Sequence, residues 1–381
     1  MTDEHTPPEP SGARPAAGAG NAPSGAPDEV TQRSAKAPAE HDPFRPEGDP
    51  ELLPGAPATT TPAYGPGQQR LPGEHDDTAA LVIGEALIDI VERPSEQPSQ
   101  HPGGSPANVA VGLARLGREV ELVSWFGADD HGSLLRSHLE LENVRLSAAS
   151  ARAGHTSVAR ARLNAAGGAT YEFDLEWAPP VPEPMVDPLV VHTGSIAAVL
   201  EPGAATVAET VARYRGTATI SYDPNIRPAL MGEPARTRPV VERLVASADV
   251  VKVSDEDLAW LAPGQDPLEV ARRWLATGPA LVVVTLAADG AWAVTAGGVE
   301  LAVPATPVDV LDTVGAGDSF SAGVIDGLWA AGLLGADRRD RLRELDATTL
   351  RRVLEHASHI AGITVSREGA NPPTRAELTA D

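Results

Sequence analysis

Leu311 to Gly323 reads L-D-T-V-G-A-G-D-S-F-S-A-G: a strand-end carboxylate, then small residues, then the opening of an apolar helix. Gly315, Ala316 and Gly317 place backbone N–H groups at a helix N-terminus with nothing bulky in front of them. Such donors can hold phosphate oxygens, and the positive end of the helix dipole favours an anion there. Asp318 follows in the first turn, where a carboxylate can accept the proton of an attacking hydroxyl. The same residues also suit a tight turn in which Asp318 only stabilises the helix start. Two other phosphate-binding loops do not fit. Neither lysine of the chain follows a glycine as G-K-[ST] requires, and no G-x-G-x-x-G follows the first strand.

Outward from that segment the chain alternates between strand and helix. Ala80 to Ile90 (A-L-V-I-G-E-A-L-I-D-I) reads as a buried first strand running into a turn, with its final carboxylate, Asp89, as the anomaly. Pro94 to Gly104 reads as a polar loop, Ser105 to Leu116 as a helix closed by Gly117, and Val120 to Phe126 as a second strand. Helix 130–141 follows. Ser157 to Leu163 and Ala169 to Leu175 alternate like half-exposed strands, with Ala165 to Gly168 as their hairpin turn. Beyond them come strands at Val190–Thr193, Ala218–Tyr222, Val250–Val253, Leu281–Thr285, 291–295 and 299–303. Helices are expected at 201–215, 234–247, 267–277, 315–334 and 348–364. The rhythm predicts an α/β fold, a doubly wound and mostly parallel sheet flanked by helices, with ligands at the carboxyl ends of its strands. The alternating pair at 157–175 stands outside that rhythm as a small excursion.

A second glycine pair opens a helix in His101 to Gly117, H-P-G-G-S-P-A-N-V-A-V-G-L-A-R-L-G. Gly103 and Gly104 allow a ligand close to the backbone, and the Asn108 amide suits neighbouring hydroxyls of a polyol; a capping turn is the plainer alternative.

Composition bounds the rest. A formal charge of −23 and the lack of a basic stripe argue against a nucleic-acid binder. The chain has no cysteine, which removes disulfides, thiol catalysis and thiolate metal sites. No apolar stretch is long enough for a membrane span, and Met1 leads into acidic, proline-rich sequence unlike a secretory signal. A cytoplasmic enzyme is the expectation. Residues 1–77 are rich in Pro, Gly and Ala with few side chains able to build a core, so a disordered acidic tail is expected there, and one folded unit over 78–375.

Together, the two glycine-opened helices resemble the signatures of the PfkB, or ribokinase-like, family of carbohydrate kinases. Within it, G-E-A-L-I-D-I, S-Y-D-P-N-I-R-P-A-L-M and V-K-V-S-D-E-D-L are most similar to fructokinases and related hexose or keto-acid sugar kinases. The resemblance spans 78–375 and implies a ribokinase-like fold with a small β lid, drawn from 91–101 and 155–178, which in relatives often forms a homodimer contact. It implies phosphorylation of a primary hydroxyl of a small sugar, fructose first, by ATP with Mg2+ and a monovalent cation such as K+. A kinase for 2-keto-3-deoxygluconate or a nucleoside, or a weakly catalytic sugar or nucleotide sensor, are the alternatives.

Residue by residue, the resemblance makes Asp318 the catalytic base and Gly315, Ala316 and Gly317 the anion hole, with Arg227 adding positive charge. Asp89, Gly103, Gly104 and Asn108 would bind sugar hydroxyls, and Asp223 and Asn225 would line the region between sugar and phosphate. Ser254, Thr285, Gly290 and Ala357 would face the nucleotide. Asp257 would serve magnesium and Asp312 the monovalent cation. Two departures stand out: S-D-E-D at Ser254 to Asp257 where many members carry N-x-x-E, and Ala287 where T-L-G is commoner.

Overall fold

The apolar run Ala80–Ile90, expected as a first strand running into a turn, supplies strands to two sheets in the computed structural model, which describes residues 78–94, 96–163 and 169–379. All of these lie in one compact unit. β1 (Ala79–Ile83) enters a nine-stranded sheet and β2 (Leu87–Glu92) a four-stranded one. From one edge, the large sheet runs β13 (Glu300–Val303), β12 (Ala291–Thr295), β11 (Leu281–Thr285), β10 (Val250–Ser254), β9 (Thr219–Asp223), β8 (Pro188–Gly194), β1, β4 (Val120–Val123) and β5 (Arg145–Leu146). Pairing is parallel from β11 to β5, and β12 and β13 add antiparallel edge strands. The small sheet has the order β3 (Ser99–Gly103), β2, β6 (Val158–Leu163), β7 (Ala169–Asp174).

Helices cover both faces of the large sheet because its central strands are apolar on both sides. On one face, α1 (Ser105–Arg115), α2 (Asp130–Leu141), α8 (Ala316–Ala330), α9 (Arg339–Arg343) and α10 (Ala347–Val365) bury Leu113, Leu139, Phe320, Leu342 and Leu354. On the other, α3 (Gly203–Tyr214), α5 (Pro234–Ser247), α6 (Asp255–Leu261) and α7 (Pro267–Leu275) bury Val207, Val241, Leu258 and Trp274. Each such side chain contributes about 1.5–3 kcal/mol on leaving water. Short helices α4 (Pro228–Met231) and α11 (Arg375–Leu378) complete the set. Apart from its first turn and Asp326, α8 is largely apolar and buried, and it packs against α1 and α10.

Two expectations change, and one helix is new. Pro94–Gly104 is not all loop, since its end forms β3; S-Q-H-P-G lacks the alternation of a strand, and only a sheet edge tolerates its proline. Asp312 is not at a strand end, because β13 stops at Val303. The N–H groups of Leu311 and Asp312 instead bond Val365 O, at the end of α10. Helix α6, unforeseen, starts at a capping box in which Ser254 Oγ accepts the Asp257 N–H and the Asp257 carboxylate accepts the Ser254 N–H. The expected hairpin turn at Ala165–Gly168 and the expected tail over 1–77 fall outside the described residues. No helix among the described residues is long and apolar enough to cross a membrane.

Candidate active site

The segment after β9 and the start of α1 meet the start of α8 at Asp318. Its carboxylate is buried, and three donors reach it. Ser105 Oγ donates to Oδ1 at 2.7 Å, Asn225 Nδ2 to the same oxygen at 3.1 Å, and Asn108 Nδ2 to Oδ2 at 2.8 Å. Asn225 also donates to Ser105 Oγ at 2.7 Å. Burial pushes the Asp318 pKa up, and the donors and the charge of Arg227 pull it back. The result is a desolvated, oriented carboxylate, the state a general base requires. The Ala316 N–H is partly engaged by Thr313 O at 3.3 Å.

Arg227 is exposed, and its Nη1 donates to Asn225 Oδ1 at 2.6 Å. Its charge acts on three carboxylates, Asp318, Asp89 and Glu85. Asp89 lies inside β2, opposite His101 on β3, rather than at the end of a central strand. Its Oδ2 occupies the place where a side chain at Gly103 would begin, 2.2 Å from that Cβ position. The glycine therefore makes room for the protein's own carboxylate. Burial raises Asp89 to about 6 and Glu85 to about 7. Gly104 caps the start of α1, which places Ser105 and Asn108 on its first turn.

Asp223, expected between sugar and phosphate, is buried. Its Oδ2 accepts from Lys252 Nζ at 3.1 Å and Ser321 Oγ at 2.9 Å, and its Oδ1 from the Asn225 N–H at 3.2 Å. Glu85, Ser105 and Lys252 were not singled out by sequence. Signals existed: Glu85 and Lys252 are charges inside apolar runs, and Ser105 sits between a glycine pair and a helix.

Ser254 and Thr285 are register partners at the ends of β10 and β11, and Gly290 precedes β12. Between them Ala287 takes φ 48°, the left-handed region that the alanine there resists. Ala357 is fully buried against Gly323 of α8, so it packs helices instead of lining a cleft. Both carboxylates assigned to cations are engaged by backbone. Asp257 accepts from Ile226 and Ser254 N–H groups at 3.0 and 3.4 Å, and Asp312 from Val314 and Gly369 at 3.0 and 2.8 Å. Each oxygen keeps a second lone pair. Among the described residues, no cluster of three or more acidic or histidine side chains could hold a metal alone. A magnesium ion fits this donor set only if phosphate and water supply most of its ligands.

The model of the pfkB family of carbohydrate kinases matches residues 77–377. A fructokinase from Klebsiella pneumoniae is 36% identical over 265 residues, covering 66% of this chain and 85% of that protein. Among solved structures, a double-mutant fructokinase from Vibrio cholerae O395 with fructose, ADP and potassium bound superposes with a TM-score of 0.66. It is 26% identical, over 80% of this chain and 98% of the other. Aminoimidazole riboside kinase from Salmonella enterica, bound to its riboside and an ATP analogue, gives 0.62 at 27% identity, covering 77% and 95% of the two chains.

Proposed function

The chain belongs to the pfkB family of carbohydrate kinases and is fructokinase-like, and from that premise we propose that it transfers the γ-phosphoryl group of ATP to a primary hydroxyl of fructose. The observation that carries this reading is Asp318, buried at the first turn of α8 and held by Ser105, Asn108 and Asn225. The sugar oxygen attacks phosphorus as its proton passes to Asp318; the bond from phosphorus to the β-phosphate oxygen breaks, ADP leaves, and the proton is later released to water. The backbone at Gly315, Ala316 and Gly317 gathers charge on the transferring group, and Arg227 adds to it. Asp89, backed by Gly103, accepts sugar hydroxyls, and Asn108 orients them beside the base. Ser254, Thr285 and Gly290 border the nucleotide. Asp257, through water, would hold a magnesium ion, which would supply charge neutralisation at the phosphates, and Asp312 would meet a potassium ion.

A steady-state assay of ADP release tests this across fructose, other hexoses, 2-keto-3-deoxygluconate and ribosides. Fructose should give the highest kcat/KM. A riboside in first place would move the enzyme to the nucleoside side, and no turnover with any of them would overturn the reading. Asp318→Asn should fold normally and lose about a hundredfold or more in kcat. We extend the proposal to a cytoplasmic homodimer joined through the small sheet, where Tyr171 and Phe173 stack in partial exposure; sedimentation of the purified chain reads the dimer directly.

A further inference from the structure

We propose that Lys252 is a positioning residue for phosphoryl transfer: an ammonium held beneath the first turn of α8, where it strengthens the backbone cradle as the transferring group gains negative charge. The proposal rests on the phosphoryl-transfer reading above and adds a residue to it.

Lys252 lies within V-V-K-V-S of β10, and it is the one lysine among the described residues of a chain whose basic side chains are otherwise nearly all arginine. Its side chain is 7% exposed. Burying a cation costs several kcal/mol unless it is paired, so its position calls for a reason. Asp223, 1% exposed, supplies the pairing at 3.1 Å. Pairing alone does not explain where the charge points. A Cβ on Gly317 would come within 2.9 Å of Nζ, so the glycine leaves its vacant side to the ammonium. The carboxylate partner instead meets Ser321, one helical turn deeper along α8. The ion pair therefore presents its positive end at the helix N-terminus and its negative end inward, in the same sense as the helix dipole. In a water-poor setting such a fixed dipole acts strongly on a nearby anion. A compact ammonium suits close contact with backbone better than a planar guanidinium. His192 on β8 and Asp257 at the start of α6 share its field.

The bland alternative is that the pair merely joins β9, β10 and α8. Two variants separate the readings: Lys252→Met, and Lys252→Met with Asp223→Asn, which leaves no orphaned buried carboxylate if the single variant folds poorly. The readout is the factor by which aluminium fluoride, a mimic of the planar transferring group, tightens MgADP binding; this needs no sugar. In both variants that factor should fall about ten- to hundredfold, with ADP affinity itself within about threefold of wild type and kcat falling in parallel. A folded double variant with normal tightening and kcat would overturn the proposal, as would equal losses for ADP and for the mimic. A wild-type protein that shows the tightening yet phosphorylates no sugar removes the sugar reading and leaves the variant comparison decisive; one without tightening overturns the role of Lys252.

Discussion

Replacing Asp89 with asparagine should make the unliganded protein more stable and the enzyme worse, and pH should govern the first effect. Asp89 is partly buried, no hydrogen bond from a described residue reaches its carboxylate, and burial lifts it from the usual 3.8 to about 6 against a weaker opposing pull from Arg227. For an acid raised on folding, the native state binds more protons than the unfolded one between about 4 and 6. Stability therefore falls as pH rises through that window, and the penalty is complete above it. The distance from 3.8 to about 6 sets an upper bound of about 3 kcal/mol. Asparagine keeps the volume and removes the charge, so urea unfolding at pH 7.5 should show a gain of about 1–3 kcal/mol that disappears by pH 4. Loss of a hydrogen bond to a charged acceptor should at the same time weaken apparent sugar affinity by about 2 kcal/mol, roughly thirtyfold. Equal stability at both pH values, or an unchanged sugar KM, would refute the assignment of Asp89 as a carboxylate held in reserve for substrate.

Ser105→Ala removes the 2.7 Å donor to Asp318, so the base should ionise less readily and the acid limb of kcat/KM should move to higher pH with little change in Tm; an unmoved profile counts against it. Ala287→Gly should relieve the φ 48° backbone and raise stability in urea by up to about 1 kcal/mol, net of the extra chain entropy of glycine. Asp326 is buried among Arg118, Arg375 and His356, and these partners hold its carboxyl well below the usual range. Its contribution is present above the unfolded value near 4 and is lost only in strong acid, so Asp326→Asn should cost about 3–5 kcal/mol at pH 7 without altering kcat of the folded fraction.

The alternation of apolar runs with amphipathic segments made the parallel sheet and most of its helices legible, because each period is imprinted locally. Division of the first run between two sheets was not, since Gly84 and Glu85 mark a break in A-L-V-I-G-E-A-L-I-D-I but not that the apolar residues beyond it join a different sheet. In the candidate site, Asp318, Asn108 and Asn225 were legible as residues, and the structure brings both asparagines within hydrogen-bond reach of Asp318. Gly103 and Gly317 carried a more ambiguous sign. Each was read as room for a ligand, whereas the nearest occupants of that room are the protein's own Asp89 and Lys252. Sequence shows that a backbone must be approached closely, not what approaches it. Long-range pairs such as Asp223 with Lys252 and Ser321 depend on strand order, which local patterns do not encode.

The break between β1 and β2 also separates two kinds of evolutionary freedom. Asp89 and Gly103 belong to the small sheet, whereas the cradle and its base belong to α8 above the large one. If the proposed site roles hold, substitutions confined to 87–103 and 158–174 should retune which alcohol is accepted while the phosphoryl donor and the base stay as they are. A directed-evolution library restricted to those two segments should change acceptor preference faster, and at lower cost in kcat, than one of equal size spread over the whole chain.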